Sequence, residues 1–254
     1  WLVTVVPFAL ALLWPAPAGF GNGSRAIAVA ALVFALAIAT ARLADARVVW
    51  IAFLASLAVG AACAIGAGAR LRAMPVGIAL LAIALFAVLL TDAAIEKAEK
   101  VYPAGTSVAT TVAVDPRPAI WRGALASATE RPLTGHGYGL QILAERMREL
   151  TRDPLITHPH NLFLGQLLQT GAVGLALFVL AIAALATHHW RLVRSADGVL
   201  ARLGALGLMT LTGFVVRNLT DDFFLRANAK LLFAVQGVLL GAAALRRRSL
   251  AGNA

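Results

Sequence analysis

The sequence predicts an all-α, polytopic membrane protein: a bundle of transmembrane helices with one long loop on its outer side. Three observations carry that prediction. Of 254 residues, 60% are hydrophobic and 13% are charged. Mean hydropathy is +0.82. Apolar runs long enough, or nearly long enough, to cross a bilayer recur along the chain, and one long polar stretch interrupts them. A soluble domain carries about 25% charged and about 45–50% apolar residues. The balance here excludes a disordered chain, a coiled coil and a water-soluble enzyme.

About seven apolar segments can be counted against the length of about 20 residues that a span needs. They are Trp1–Trp14, Ala26–Ala41, Val48–Ala67, Met74–Leu90, Asn161–Ala186, Val199–Val216 and Leu231–Leu245. The polar stretch runs from Thr91 to His160. The chain starts at Trp1 inside an apolar run, so further spans are expected before it. The start shows no basic n-region or cleavage site of a secretory signal. Cys63 is the one cysteine, which leaves no intrachain disulfide and no thiol cluster for a metal.

The formal charge is +10 and the sequence pI is about 11.3. On a soluble protein that balance would suggest a nucleic-acid surface. In a chain this apolar it reads as positive residues gathered in cytoplasmic loops, with some kept for function. Arg70 with Arg72, then Arg191, Arg194 and Arg202, then Arg246, Arg247 and Arg248 all fall on one side if the long loop is outside. These clusters read as orientation signals, and the loop becomes the place to look for chemistry. Residues 1–92 and 161–254 are then membrane helices, and 93–160 is the loop.

Within the loop, Asp115-Pro116-Arg117 reads as a helix start. Ile120, Trp121, Ala124, Leu125 and Ala128 follow at helical spacing, which predicts an amphipathic helix over Pro116–Thr129. Pro132 and the turn Gly135–Gly139 end it. Leu143, Met147 and Leu150 share one side of a second helix, Leu140–Arg152, and Asp153-Pro154 stops that helix. Residues 155–159 are extended because they precede proline. His160 and Asn161 open the next apolar segment.

His160 at a helix start lies near positive dipole potential, which favours the neutral imidazole that a general base needs. Asn161 suits a helix cap or a sugar or phosphate contact. An alternative is that His158 and His160 are ordinary interfacial residues around a proline. A His-x-His metal site lacks a neighbouring carboxylate or thiol in the sequence. Gly171 and Gly174 are spaced for close helix packing.

Three ordered elements resemble the O-antigen ligase and polymerase family: Asp115-Pro-Arg-Pro-Ala-Ile-Trp121, Arg131-Pro-Leu-Thr-Gly-His-Gly-Tyr-Gly139 and His158-Pro-His-Asn-Leu-Phe-Leu-Gly165. The family's signature is His-Asn, nine residues, then Gly-x-x-Gly. It is matched by His160-Asn161, Leu162 to Thr170, then Gly171 and Gly174. Arg117 and Trp121 match its upstream Arg-x-x-x-Trp element. Leu219-Thr220-Asp221 resembles its Leu-Ser-Asp.

The resemblance implies a GT-C-like fold and a glycosyltransferase of the bacterial inner membrane whose active site faces the periplasm, so that 93–160 is a periplasmic catalytic loop. It implies a glycan donor on undecaprenyl diphosphate and no metal, cofactor, nucleotide sugar or nucleic acid. The acceptor is a sugar hydroxyl of lipid A-core in the ligase branch. In the polymerase branch it is another repeat unit, and in a third branch a protein hydroxyl. A leaving diphosphate needs cationic neutralisation, for which Arg117 is the first choice. His160 would take the acceptor hydroxyl's proton or orient that hydroxyl. Trp121, Arg122, His158 and Asn161 are expected to bind substrate beside them.

Ser24-Arg25 matches a further Ser-Arg element of the family, which makes Arg25 a candidate substrate residue. Three apolar segments between Arg25 and the loop place it on the opposite side by parity, and parity instead puts Arg42 and Arg47 outside. Reading the chain as a transporter or a non-catalytic subunit is the competing class. Transporters usually carry ionisable residues near mid-membrane, whereas the apolar segments here are nearly free of charge.

Overall fold

The computed structural model describes residues 47–66, 117–152, 156–222, 224 and 227–252. Six helices account for the regular structure among them: α1 Arg47–Gly66, α2 Arg117–Ala128, α3 Leu140–Thr151, α4 Leu162–Val193, α5 Gly198–Arg217 and α6 Ala227–Gly252. No strand occurs among the described residues. Three helices are long and apolar enough to cross a membrane: Leu162–Val193, Gly198–Arg217 and Asn228–Gly252. The all-α expectation is met, and α1 falls on the apolar segment Val48–Ala67. The segments Trp1–Trp14, Ala26–Ala41 and Met74–Leu90 lie outside the described residues.

The contacts define two compact units. The first holds α1, the end of α4 from Ala184, α5 up to Val216, and α6. Its joints are polar. Ser56 Oγ donates to the Met209 carbonyl at 2.9 Å. His189 and Gln236 meet at 2.6 Å, and Gln236 Nε2 donates to Thr210 Oγ1 at 2.7 Å. Asp197 caps α5 by accepting from the backbone N–H of Leu200 and Val199. Its other oxygen accepts from Arg246 at 2.8 Å.

The second unit holds α2, α3, α4 up to Ala183 and the connection that begins at Arg217. Ile120, Ala124 and Ala128 of α2 recur four residues apart and bury against Leu143 and Met147 of α3 and Leu168 of α4. Fully burying a Leu or Met stabilises by about 1.5–3 kcal/mol, so this small cluster sets the packing of the two short helices. Leu125, expected on the same face, is 49% exposed.

The apolar segment that begins at Asn161 is not one straight helix. Gly171 breaks α4 with φ 66° and ψ −171°, a region essentially confined to glycine. Phe163 and Phe178 would stand about 22 Å apart on a straight helix. Their rings are 6.2 Å apart. The first arm, residues 162–170, therefore folds back along the second, residues 172–193. Gly174 lies directly under Thr170, so a β-carbon there would come within 2.2 Å of Thr170 Cβ. The Gly-x-x-Gly spacing does mark close packing, as its small residues suggest, but between two arms of one helix at their own bend.

The break frees backbone groups, and the glycine-rich turn takes them up. His136 N–H donates to the Leu168 carbonyl and Gly137 N–H to that of Gln169, while Ala172 N–H donates to the carbonyl of Pro132. Gly139 N–H donates to Gln169 Oε1 at 3.0 Å. A β-carbon on Gly135 would come within 2.5 Å of the Gln169 backbone, and one on Gly171 within 2.2 Å of the Leu133 backbone. Two glycines thus let the turn act as a surrogate helical turn across the break.

Candidate active site

The first arm starts at a short segment that two neighbours hold in place. Trp121 of α2 donates from Nε1 to the Pro159 carbonyl at 2.9 Å. Asn161 caps the arm, its Oδ1 accepting from Leu164 N–H at 3.0 Å. The Asn161 amide donates to the Leu219 carbonyl at 2.8 Å, and Leu162 N–H donates to the Asn218 carbonyl at 3.0 Å. The turn after α5 is thereby tied to the start of the first arm. Between these restraints His160 takes a left-handed backbone, φ 50°, which costs about 1–3 kcal/mol in a non-glycine residue held by its surroundings.

This arrangement brings Asp221 between the two histidines. His158 Nε2 is 3.5 Å and His160 Nδ1 is 3.6 Å from Asp221 Oδ1. The first contact is at the outer edge of hydrogen-bond range and the second lies just beyond it. The imidazole centroids are 4.2 Å apart. Arg217, one helical turn before Asp221, donates to Asp221 Oδ2 at 2.9 Å. Burial of Asp221 opposes its ionisation. The two imidazoles, the Asp222 N–H and the Arg217 guanidinium outweigh it and hold the carboxyl well below the usual carboxylate range.

Asp222 behaves oppositely. It is buried, and burial pushes its carboxyl up; the Asp221 charge adds to this, while Phe224 N–H and the two histidines partly oppose it. It packs against Gly165, where a β-carbon would sit 3.1 Å from Asp222 Oδ2. Thr220 Oγ1 is buried with no hydrogen-bond partner among the described residues. Such a group needs a water or a ligand to satisfy it.

Arg117 begins α2 and lies close enough to Arg217 for the two positive charges to repel. The helix dipole adds positive potential at the start of α2, where Arg117 stands. Arg117 and Arg217 raise each other's electrostatic energy, and an anion near both would relieve that repulsion. His158, His160 and Asp221 also offer three ligand atoms within 4.8 Å of one another, a spacing a cation would fit. The carboxylate missing from the sequence neighbourhood of the His-x-His pair is thus supplied from later in the chain. Arg217 on the other oxygen of that carboxylate, and Arg117 beyond it, oppose a metal by charge.

Of the residues expected from the sequence, Arg117, Trp121, His158, His160 and Asn161 fall in this one region. Trp121 and Asn161 spend their polar groups on backbone, which makes them positioners of the histidine segment. Arg122 is exposed and donates to the Pro118 carbonyl of its own helix at 3.3 Å. None of its described contacts reaches the histidines. Arg25 and Arg42 lie outside the described residues, as does the side chain of Arg47. The sequence alone does not single out Arg217, Asp222 or the role of Asp221. The available signal was Arg217-x-x-x-Asp221, an ion pair one helical turn apart at the end of an apolar segment.

The sequence profile described as O-Antigen ligase matches residues 9–179 of the chain. The chain is also similar to an O-antigen ligase of Pseudomonas aeruginosa strain PAO1, 32% identical over 126 residues. The alignment takes in 47% of this chain and 30% of that relative, so the chain spans under a third of the relative's length. Arg217 and Asp221 lie beyond the part matched by the profile.

Proposed function

This chain belongs to the O-antigen ligase family, and on that premise we propose that it transfers a glycan from undecaprenyl diphosphate to a sugar hydroxyl of lipid A-core, at the periplasmic face of the bacterial inner membrane. The observation that supports this reading is the convergence of Arg117, His160, Arg217 and Asp221 from three distant stretches of chain.

Asp221 faces Nδ1 of His160, which keeps the proton on that nitrogen and leaves Nε2 as the base. Nε2 takes the proton of the acceptor hydroxyl while its oxygen attacks the anomeric carbon. The bond from that carbon to the diphosphate oxygen breaks, and the configuration inverts. Arg117 neutralises the leaving diphosphate by bidentate hydrogen bonds. Arg217 steadies Asp221 and adds a second positive charge on the same side. A positioned base contributes about 10²–10⁴-fold in rate, and charge stabilisation in a site shielded from water contributes as much or more.

The test is O-antigen display in a strain lacking its own ligase. The full-length protein should restore display, and His160→Ala and Arg117→Ala should abolish it at normal protein levels. Normal display from both variants would remove the assignment. Gel profiles of lipopolysaccharide from a deletion strain separate the branches. Loss of every attached chain marks a ligase, and a single attached repeat marks a polymerase.

A further inference from the structure

The second unit leaves large apolar side chains exposed on α4 and on the turn hydrogen-bonded to its second arm. On the second arm of α4, Val173 is 56% exposed, and Leu177 and Leu180 are each 63% exposed. They follow one another by four and three residues, and so line one side of the helix. Above them the glycine-rich turn continues the surface. Leu133 is 63% exposed, Tyr138 is 70% exposed, and Leu140 and Ile142 are exposed beside them. The join is hydrogen-bonded and sterically tight, because Val173 N–H donates to the Leu133 carbonyl and Ala172 N–H to that of Pro132, and a β-carbon on Gly171 would come within 2.2 Å of the Leu133 backbone. Leu133 therefore caps the line that Val173 starts.

The second arm is about 33 Å long at 1.5 Å per residue, close to the roughly 30 Å of a bilayer's hydrocarbon core. An arm that spends nearly all its length crossing the core has its top at the boundary between acyl chains and head groups. The turn bonded to that top lies at the same level. Its composition suits the place. Tyr138 carries an apolar ring with a polar tip, and interfaces are rich in such residues. Exposed Arg131 stands two residues before Leu133, in reach of lipid phosphate. The exposed charges of α3 and its C-cap, Glu145, Arg148, Glu149 and Arg152, sit beyond the apolar stretch.

We propose that residues 131–142 form an interfacial membrane anchor, with Leu133, Tyr138 and Leu140 seated in the lipid boundary and Arg131 on the phosphate layer. The occupant is the lipid surface, because the patch continues the side of a helix fit to cross lipid. The proposal does not rest on the transferase reading. Its consequence is mechanical. The same turn braces the break at Gly171, so the membrane surface and the arm that begins at His160 are fixed to one joint.

Nitroxide labels at Leu133→Cys and Tyr138→Cys, each in a Cys63→Ser background, test this in vesicles of phosphatidylethanolamine and phosphatidylglycerol. A label at Glu145→Cys serves as the aqueous reference. Both anchor labels should collide with dissolved oxygen several-fold more, relative to a water-soluble nickel chelate, than the reference label does. Nickel access equal to that at position 145 would place the turn in water and overturn the proposal. Shielding from both reagents would mean that protein covers the patch, and would overturn it equally.

Discussion

Two imidazoles share one oxygen of Asp221 while Arg217 holds the other, and that division of labour makes residue-level behaviour calculable. Asp221→Asn should lower kcat for glycan transfer by about 10²-fold or more, because the base loses its tautomer and its counter-charge together. KM should change little. A KM change with kcat intact would make Asp221 a substrate contact instead. The two neighbouring carboxyls should also differ in their effect on stability. Asp221 is held below its ordinary value of 3.8, so its contribution is present above that pH and is lost as pH falls through the folded value. Asp222 is raised by burial, so its penalty is absent below 3.8 and grows as pH rises through its folded value. In detergent at neutral pH, Asp221→Asn should lower the unfolding midpoint and Asp222→Asn should raise it. Both differences should shrink toward zero in acid. Equal shifts at all pH values would show that neither carboxyl acts through its charge. Chelation should leave the transfer rate unchanged, since Arg117 and Arg217 already supply the positive charge; a rate restored by a divalent cation would reassign His158, His160 and Asp221 as ligands. His160 and Arg117 stand out in the sequence because they match the family's His-Asn and Arg-x-x-x-Trp elements. The role of Asp221 does not, because what makes it part of the site is a turn bonded across about 60 residues of chain through Asn161 and Leu219.

At the scale of elements, the two amphipathic helices were readable from their spacing, and Leu143, Met147 and Leu150 do face their core. Leu125 shows where that reading stopped. Periodicity marks a side of a helix, and the width of the buried side depends on what packs against it. The fold-back of α4 was not readable either. An unbroken apolar run carries no sign of a bend, and Gly171 and Gly174 look the same whether they face another helix or their own second arm. Gly171→Ala puts a side chain into a glycine-only conformation at about 1–3 kcal/mol and drives its β-carbon into the Leu133 backbone. The variant should lose thermal stability by several degrees or fail to accumulate in membranes. Gly123→Ala is the control, since nothing lies within 4 Å of a β-carbon there and an interior helical glycine costs about 0.8–1.0 kcal/mol relative to alanine. It should be neutral or stabilising. Comparable losses in both variants would show that the joint has no special role.

For the whole molecule, composition placed the chain in a membrane before any residue was singled out, and α4, α5 and α6 bear that out by length and apolarity. The +10 balance resolves into groups with different work. Arg246 is spent on Asp197, the cap of α5, while Arg117 and Arg217 converge near the histidines. Family membership and that convergence together lead to a single chemical claim, that His160 acts as the base for transfer from a lipid diphosphate. The most direct measurement is glycan transfer by the purified full-length protein, from undecaprenyl-diphosphate-linked polysaccharide to lipid A-core, compared between the native chain and His160→Ala. A fall in rate of about 10²-fold or more, with donor binding retained, is the predicted result. Transfer by His160→Ala at the native rate would contradict the account.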